Sequence, residues 1–308
     1  MSVFDLQVNG YGGVDFNQDD LSADDLHRAC ELLESHGADG ILATIITEDA
    51  QKMESRIKRL HDLREVDPLA RQIIAGIHVE GPFLNPADGY RGAHPLDAIQ
   101  PGDVSLAARF LDAGGGLIRL VTLAPEMDPS RRVTRRLVSE GVAVSAGHTN
   151  AGTDQLRGAI DAGLSLFTHL GNGCPAVMSR HDNIIQRALS LRRDLWICFI
   201  ADGVHIPFPI LKNYLDLIGD EGKVIVTTDA MSAAGLGPGR HKLGRWEVAV
   251  GDDFAARSPD GSHLVGSAIP IPQLKSNLRE KLALDHRAIQ RMTDLNPRQA
   301  LGLGCAIA

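Results

Sequence analysis

Val224-Ile-Val-Thr-Thr-Asp229-Ala-Met231 is a short, apolar, β-branched run that ends on a carboxylate. Four other segments end in a similar way: Ile77-His-Val-Glu80-Gly-Pro82, Val144-Ser-Ala-Gly-His148, Leu166-Phe-Thr-His169 and Ile200-Ala-Asp-Gly-Val-His205. Runs of this length and composition read as buried strands. An open doubly wound sheet concentrates its chemistry at one crevice. A closed barrel instead brings every strand C-terminus to one mouth. Reactive side chains at five separate strand ends therefore favour the barrel.

Working outward from these runs, strands are expected at 3–8, 40–47, 73–80, 117–123, 142–147, 164–169, 195–201 and 223–229. Between them lie segments of helical period at 22–36, 49–64, 103–113, 129–140, 153–162, 182–191 and 207–218. This alternation predicts a (β/α)8 TIM barrel, one domain over residues 1–308, with its site at the C-terminal mouth. Ser22, ahead of Asp24 and Asp25, is an expected N-cap, and Gly37 a stop. The Gly-rich stretch 230–266, which carries Arg245-Trp-Glu-Val-Ala-Val250, reads as a loop and hairpin. Helices near 268–281 and 286–293 and a turn at 296–303 are expected to close the chain.

Composition excludes several classes. A net charge of −8 leaves no basic stripe for nucleic acid. No apolar run approaches a membrane span, and the N-terminus has no signal-peptide pattern. Cys30, Cys174, Cys198 and Cys305 lack paired spacing, which speaks against a zinc ribbon or a disulfide framework. A cytoplasmic protein is the expectation.

One carboxylate and two or three imidazoles from separate strands can make a metal site, and a further carboxylate can accept the proton of a metal-activated water. Glu80, before Gly81-Pro82, is either a ligand or a brace for the turn; His148 and His169 are ligands or polar strand ends. His78 shares a strand face with Glu80 but lies one layer deeper, where a satisfied core histidine is expected. Asp202 either orients His205 or caps the turn, and Cys174 reads as a small apolar filler. His27, His36, His61, His181, His241, His263 and His286 read as surface residues.

Several segments together resemble the N-acetylglucosamine-6-phosphate deacetylase family of the amidohydrolase superfamily. They are Asp5-Leu-Gln-Val-Asn-Gly10-Tyr-Gly-Gly13, His78-Val-Glu-Gly-Pro-Phe-Leu-Asn85, Gly92-Ala-His94, Gly147-His-Thr-Asn-Ala151, Thr168-His-Leu170, Asp202-Gly-Val-His205, Thr228-Asp-Ala-Met231 and Gly266-Ser267. The resemblance implies a (β/α)8 barrel in which Glu80, His148 and His169 hold one divalent metal, zinc first, with Fe2+, Co2+ or Mn2+ as alternatives. It implies Asp229 as general base and then acid, and His205 as the group that holds the substrate and polarises its carbonyl. Ala93, His94, Asn172, Gly173 and Arg180 would surround the sugar phosphate, with His94 and Arg180 gripping the anion. Gln7 and Asn9 stand where many amidohydrolases carry His-x-His for a second metal, which resembles the mononuclear branch.

The implied reaction removes the acetyl group from N-acetylglucosamine 6-phosphate to give glucosamine 6-phosphate and acetate. The implied assembly is a homodimer. Three departures are visible. The chain begins almost on its first strand and ends at Asn296-Pro-Arg-Gln-Ala-Leu301, so the family's small β-sandwich is expected to be missing. Thr168-His-Leu-Gly-Asn-Gly-Cys174 replaces the usual Thr-His-Leu-Tyr-Asn-Ala-Met, and Pro86-Ala-Asp-Gly-Tyr-Arg91 differs from a Lys-rich version. These changes keep open another N-acyl amino sugar or N-acyl compound as substrate, and a non-catalytic sugar-binding barrel as a further reading.

Overall fold

The computed structural model describes residues 2–219, 222–243, 246–258 and 264–304; Arg245, His263 and Cys305 lie outside the described residues. Eight strands form one parallel sheet in chain order: β1 (Val3–Val8), β2 (Ala38–Ile46), β3 (Ile74–Glu80), β4 (Ile118–Leu123), β5 (Ala143–Ala146), β6 (Leu166–Phe167), β7 (Trp196–Ile200) and β8 (Val224–Thr227). Each falls on an expected run, and parallel pairing explains their composition. A strand covered on both faces must be apolar almost throughout.

The crossover helices are α1 (Ala23–Ser35), α2 (Ala50–Val66), α3 (Pro68–Ile73), α4 (Val104–Gly114), α5 (Arg132–Ser139), α6 (Thr153–Asp161), α7 (Ile184–Ser190) and α8 (Phe208–Ile218). Ser22, Asp49, Asp103 and Asn183 cap α1, α2, α4 and α7 by accepting backbone N–H bonds, as their residue types favour. The expected segments covered all of these helices but α3. There Asp67 ends α2 and caps the following turn, with Pro68 at the first helical position.

The barrel closes between its first and last strands. Val8 bridges Ala230 in parallel, and the Asn9 N–H donates to the Ala230 carbonyl at 2.6 Å. Buried Asp5 accepts from the Thr228 N–H at 3.1 Å, from the Thr228 hydroxyl at 2.6 Å and from the Thr227 hydroxyl. Burial still pushes its pKa above the ordinary carboxylate value.

The interior is graded along the barrel axis. Phe4, Leu6, Leu42, Leu120, Leu166, Cys198 and Ile225 form one apolar cluster. The Arg298 guanidinium lies over the Phe4 ring, 4.4 Å from its centroid. Two residues further along their strands, Thr44 and Thr122 follow Leu42 and Leu120, and alternation gives each pair the same face. This second layer is polar. Thr44 Oγ1 meets His78 Nδ1 at 3.3 Å and Thr122 Oγ1 meets His78 Nε2 at 2.8 Å. Thr122, Thr168 and Ser145 then continue the chain of hydroxyls at 2.7 and 2.6 Å.

The stretch 230–266 is more than the expected loop and hairpin. It builds a four-stranded antiparallel sheet from β9 (Gly239–Leu243), β10 (Trp246–Val250), β11 (Ala255–Arg257) and β12 (Leu264–Ser267). A lone hairpin leaves its apolar face wet. Here Val248, Val250, Ala256 and Val265 pack on Met231, Ala233 and Ala268, and a parallel bridge between Ala230 and Ser267 docks the sheet at the mouth. His36 is also not a plain surface residue, because its Nδ1 lies 2.8 Å from the buried Tyr11 hydroxyl. Among the described residues, no helix is long and apolar enough to cross a membrane.

Candidate metal centre and active site

Glu80 is the last residue of β3, and His148, His169 and Asp229 each stand two residues past the end of β5, β6 and β8. Those last three share an uncommon backbone, with φ of 49°, 32° and 50°. Left-handed conformations in residues other than glycine cost about 1–3 kcal/mol each and gather at functional sites. The strain turns each side chain into the mouth just where its strand stops.

The side chains converge. One ligand atom from each of Glu80, His148 and His169 lies within 4.8 Å of the others, and all three residues are buried. Glu80 Oε1 is 2.9 Å from His169 Nε2 and 3.4 Å from His148 Nε2. His148 Nδ1 donates to the Tyr90 carbonyl at 2.8 Å, which leaves Nε2 as the nitrogen facing Glu80. The hydrogen bond on one ring nitrogen thus selects the other as ligand. Loop shape reinforces that orientation: a Cβ on Gly173 would lie 2.8 Å from His148 Nδ1, and the φ of Gly173 is +58°.

Electrostatics set the charge states. Burial alone would raise the pKa of Glu80, yet the His148 and His169 rings hold it well below the usual carboxylate range. Burial alone would lower that of His169, but the Glu80 carboxylate lifts it above the ordinary imidazole value. Each partner thus favours the charged form of the other, and a bound cation would supply the positive charge beside Glu80 instead. The donor set fits such a group. One carboxylate oxygen and two imidazole nitrogens suit a divalent transition metal with positions left open.

Around this cluster, His94 lies deeper than a sugar-phosphate contact requires. Its Nε2 is 3.2 Å from His148 Nε2 and 3.9 Å from Glu80 Oε2. Burial, then the neighbouring His148, brings its pKa down to about 3, so it is neutral. His78 is the expected core histidine, with both ring nitrogens on threonine hydroxyls and a pKa lowered by burial to about 4. Gln7 Nε2 donates to both Glu80 oxygens at 3.3 and 3.2 Å, and Asn9 Nδ2 donates to Asp229 Oδ1 at 2.8 Å. Burial, aided by the Glu80 charge, raises the pKa of Asp229 to about 7.

Asp202 fills both of the roles open to it. Its Oδ1 accepts the Val204 and His205 N–H groups at 2.9 Å each, and its Oδ2 meets His205 Nδ1 at 2.6 Å. The Ser267 hydroxyl donates to the same Oδ2 at 3.2 Å, which ties the antiparallel sheet to the site. Ser267 and Tyr90 fall in segments quoted from the sequence, but their contacts with Asp202 and His148 were not read there. A serine ending a strand and a backbone carbonyl carry no local signal.

The remaining candidates lie further out. Asn172 Nδ2 donates to the His169 carbonyl at 3.1 Å. Ala93 packs against the core of the antiparallel sheet. Cys174 is only half-buried, its thiol 3.6 Å from the Gly171 carbonyl. Arg180 is exposed on the 171–183 loop.

The mouth combines a buried three-donor cluster, a carboxylate of raised pKa and an imidazole held by a second carboxylate, the ingredients of metal-assisted hydrolysis. Comparison with known proteins points the same way. N-acetylglucosamine-6-phosphate deacetylase of Bacillus subtilis (strain 168) is 32% identical over 301 residues, covering 97% of this chain and 74% of the relative. The structure of a point mutant of N-acetyl-D-glucosamine-6-phosphate deacetylase from Mycobacterium smegmatis, in complex with N-acetyl-D-glucosamine-6-phosphate, superposes with a TM-score of 0.88 at 30% identity. The match covers 98% of this chain and 77% of that one. N-acetylgalactosamine-6-phosphate deacetylase of Escherichia coli O157:H7 is 28% identical over 97% of this chain and 77% of its own length. No protein-family model matches the chain.

Proposed function

The chain belongs to the N-acetylglucosamine-6-phosphate deacetylase family, and on that premise we propose that it hydrolyses the acetamide of N-acetylglucosamine 6-phosphate to glucosamine 6-phosphate and acetate. The observation that carries this reading is the convergence of Glu80, His148 and His169 at one point of the mouth that Asp229 shares.

Glu80, His148 and His169 would hold one divalent ion. Zinc suits this mixed nitrogen and oxygen set, and Fe2+, Co2+ or Mn2+ are compatible with it. When bound, the cation polarises the amide carbonyl and lowers the pKa of water from 15.7 toward about 7.

The chain's own side chains do the rest. Asp229 accepts a proton from the attacking water as its oxygen bonds to the acetyl carbon. A positioned carboxylate can both take that proton and release it. The C–N bond then breaks with its electron pair on nitrogen, and Asp229 returns the proton there. His205, fixed through Nδ1 by Asp202, would help to hold the substrate and polarise its carbonyl. Asn172, Gly173, Ala93 and His94 would form the wall around the sugar. Arg180 suits a phosphate through its planar fork of donors.

Amine release from N-acetylglucosamine 6-phosphate tests the proposal. Turnover should be lost on chelation and return with one equivalent of metal per chain. A metal-replete protein that released no amine would reject it. A second reading, the galactosamine epimer as substrate, is favoured by the Escherichia coli relative. The ratio of kcat/KM for the two epimers decides between them, and the unphosphorylated sugar measures the share due to the phosphate. The proposal extends to a homodimer, as the resemblance implies, and to the cytoplasm, as expected from the sequence; sedimentation velocity tests the assembly.

A further inference from the structure

Asn9 directly follows β1 and is 3% exposed. Its backbone is fixed on both sides, the N–H donating to the Ala230 carbonyl at 2.6 Å and the carbonyl accepting the Phe16 N–H at 2.9 Å. Asn9 Nδ2 donates to Asp229 Oδ1 at 2.8 Å, which orients the carboxamide. The other end is unusual. Asn9 Oδ1 is buried with no hydrogen-bond partner among the described residues. Orphaned buried acceptors are rare, and one in an active site calls for a ligand donor.

We propose that Asn9 Oδ1 accepts the N–H of the substrate's acetamide, which makes Asn9 a substrate-binding residue that favours amides over esters. The inference rests on the deacetylase reading. Asp229 must reach the leaving nitrogen to protonate it, and Asn9 is tethered to Asp229, so its free oxygen lies beside the same nitrogen. At the scissile bond, the donor present both before and after water adds is that N–H. It needs an acceptor that binds the hydrogen without removing it, and a neutral carboxamide oxygen meets that requirement. With the hydrogen held there, the electron pair that develops on nitrogen is free to face Asp229, which delivers its proton as the C–N bond breaks. A role confined to steadying Asp229 would use only Nδ2 and would leave the orphaned oxygen without explanation.

The test compares two substrates in one preparation of the metal-replete protein: the N-acetyl amino sugar 6-phosphate and its counterpart with a 2-O-acetyl ester, which has no N–H. The kcat/KM for each is measured for the unaltered protein, Asn9→Ala and Asn9→Ser. Both substitutions should reduce amide hydrolysis about tenfold more than ester hydrolysis, the worth of one hydrogen bond to a buried acceptor. The ratio is internal to each preparation, so a partly folded variant does not distort it. Equal losses on both substrates, complete loss included, would overturn the assignment and reduce Asn9 to a brace for Asp229. Failure of the unaltered protein on the amide would instead sink the deacetylase reading, and this inference with it.

Discussion

Asp229→Asn should leave the metal-free protein more stable and the metal-replete protein inactive. In the folded chain the carboxyl is buried beside Glu80, and its pKa rises from 3.8 to about 7. A folded-state pKa above the unfolded value means that the folded chain binds this proton more tightly. Stability from this group is therefore full below about pH 4 and is lost as pH climbs toward 7. A rise of about three units corresponds to about 4 kcal/mol of strain at pH 8 and about 2 kcal/mol at pH 5. Asparagine is nearly isosteric, keeps an oxygen for Asn9 Nδ2 and never ionises. Urea unfolding of chelated protein should show the variant ahead by an amount that grows between pH 5 and pH 8. Turnover should fall by at least about a hundredfold, since proton transfer by a placed side chain contributes that much. A variant no more stable at pH 8, or a gain that does not grow with pH, would refute the electrostatic argument. Unchanged turnover would refute the role of Asp229 as base.

Glu80→Gln removes the charge that lifts the pKa of His169; metal content by mass spectrometry should fall well below one ion per chain, with affinity weaker by at least about tenfold. Gly173→Ala would press a methyl to 2.8 Å from His148 Nδ1 in a backbone with φ of +58°. Metal retention should weaken while the urea midpoint hardly moves, because the strain sits in one surface loop. Asp202→Asn weakens the hold on His205 Nδ1; kcat should fall by at least about tenfold with metal content unchanged, and an unaltered kcat would leave Asp202 as a turn cap only.

The barrel was legible because buried parallel strands must be apolar along their whole length, and each such run here ends sharply on a polar residue. Glu80, His148, His169 and Asp229 stood out for that reason, since alternation and strand ends are properties of the chain itself. Only a hairpin was legible of the antiparallel sheet after β8. Its strands are short and interrupted by glycines, and their apolar face is completed by Met231, Ala233 and Ala268, which lie outside any hairpin. The position of His94 was not legible, because nothing near Gly92-Ala-His94 signals the approach to His148.

By itself the sequence determined the order of strands and helices and which residues arrive at the mouth, because hydrophobic period and strand-end chemistry are local. Only the tertiary structure decided how those residues act on one another. The opposing pKa shifts of Glu80 and His169, the raised pKa of Asp229 and the orphaned oxygen of Asn9 all arise between groups far apart in the chain. Burial and distance set their energies, and both exist only once the barrel has closed.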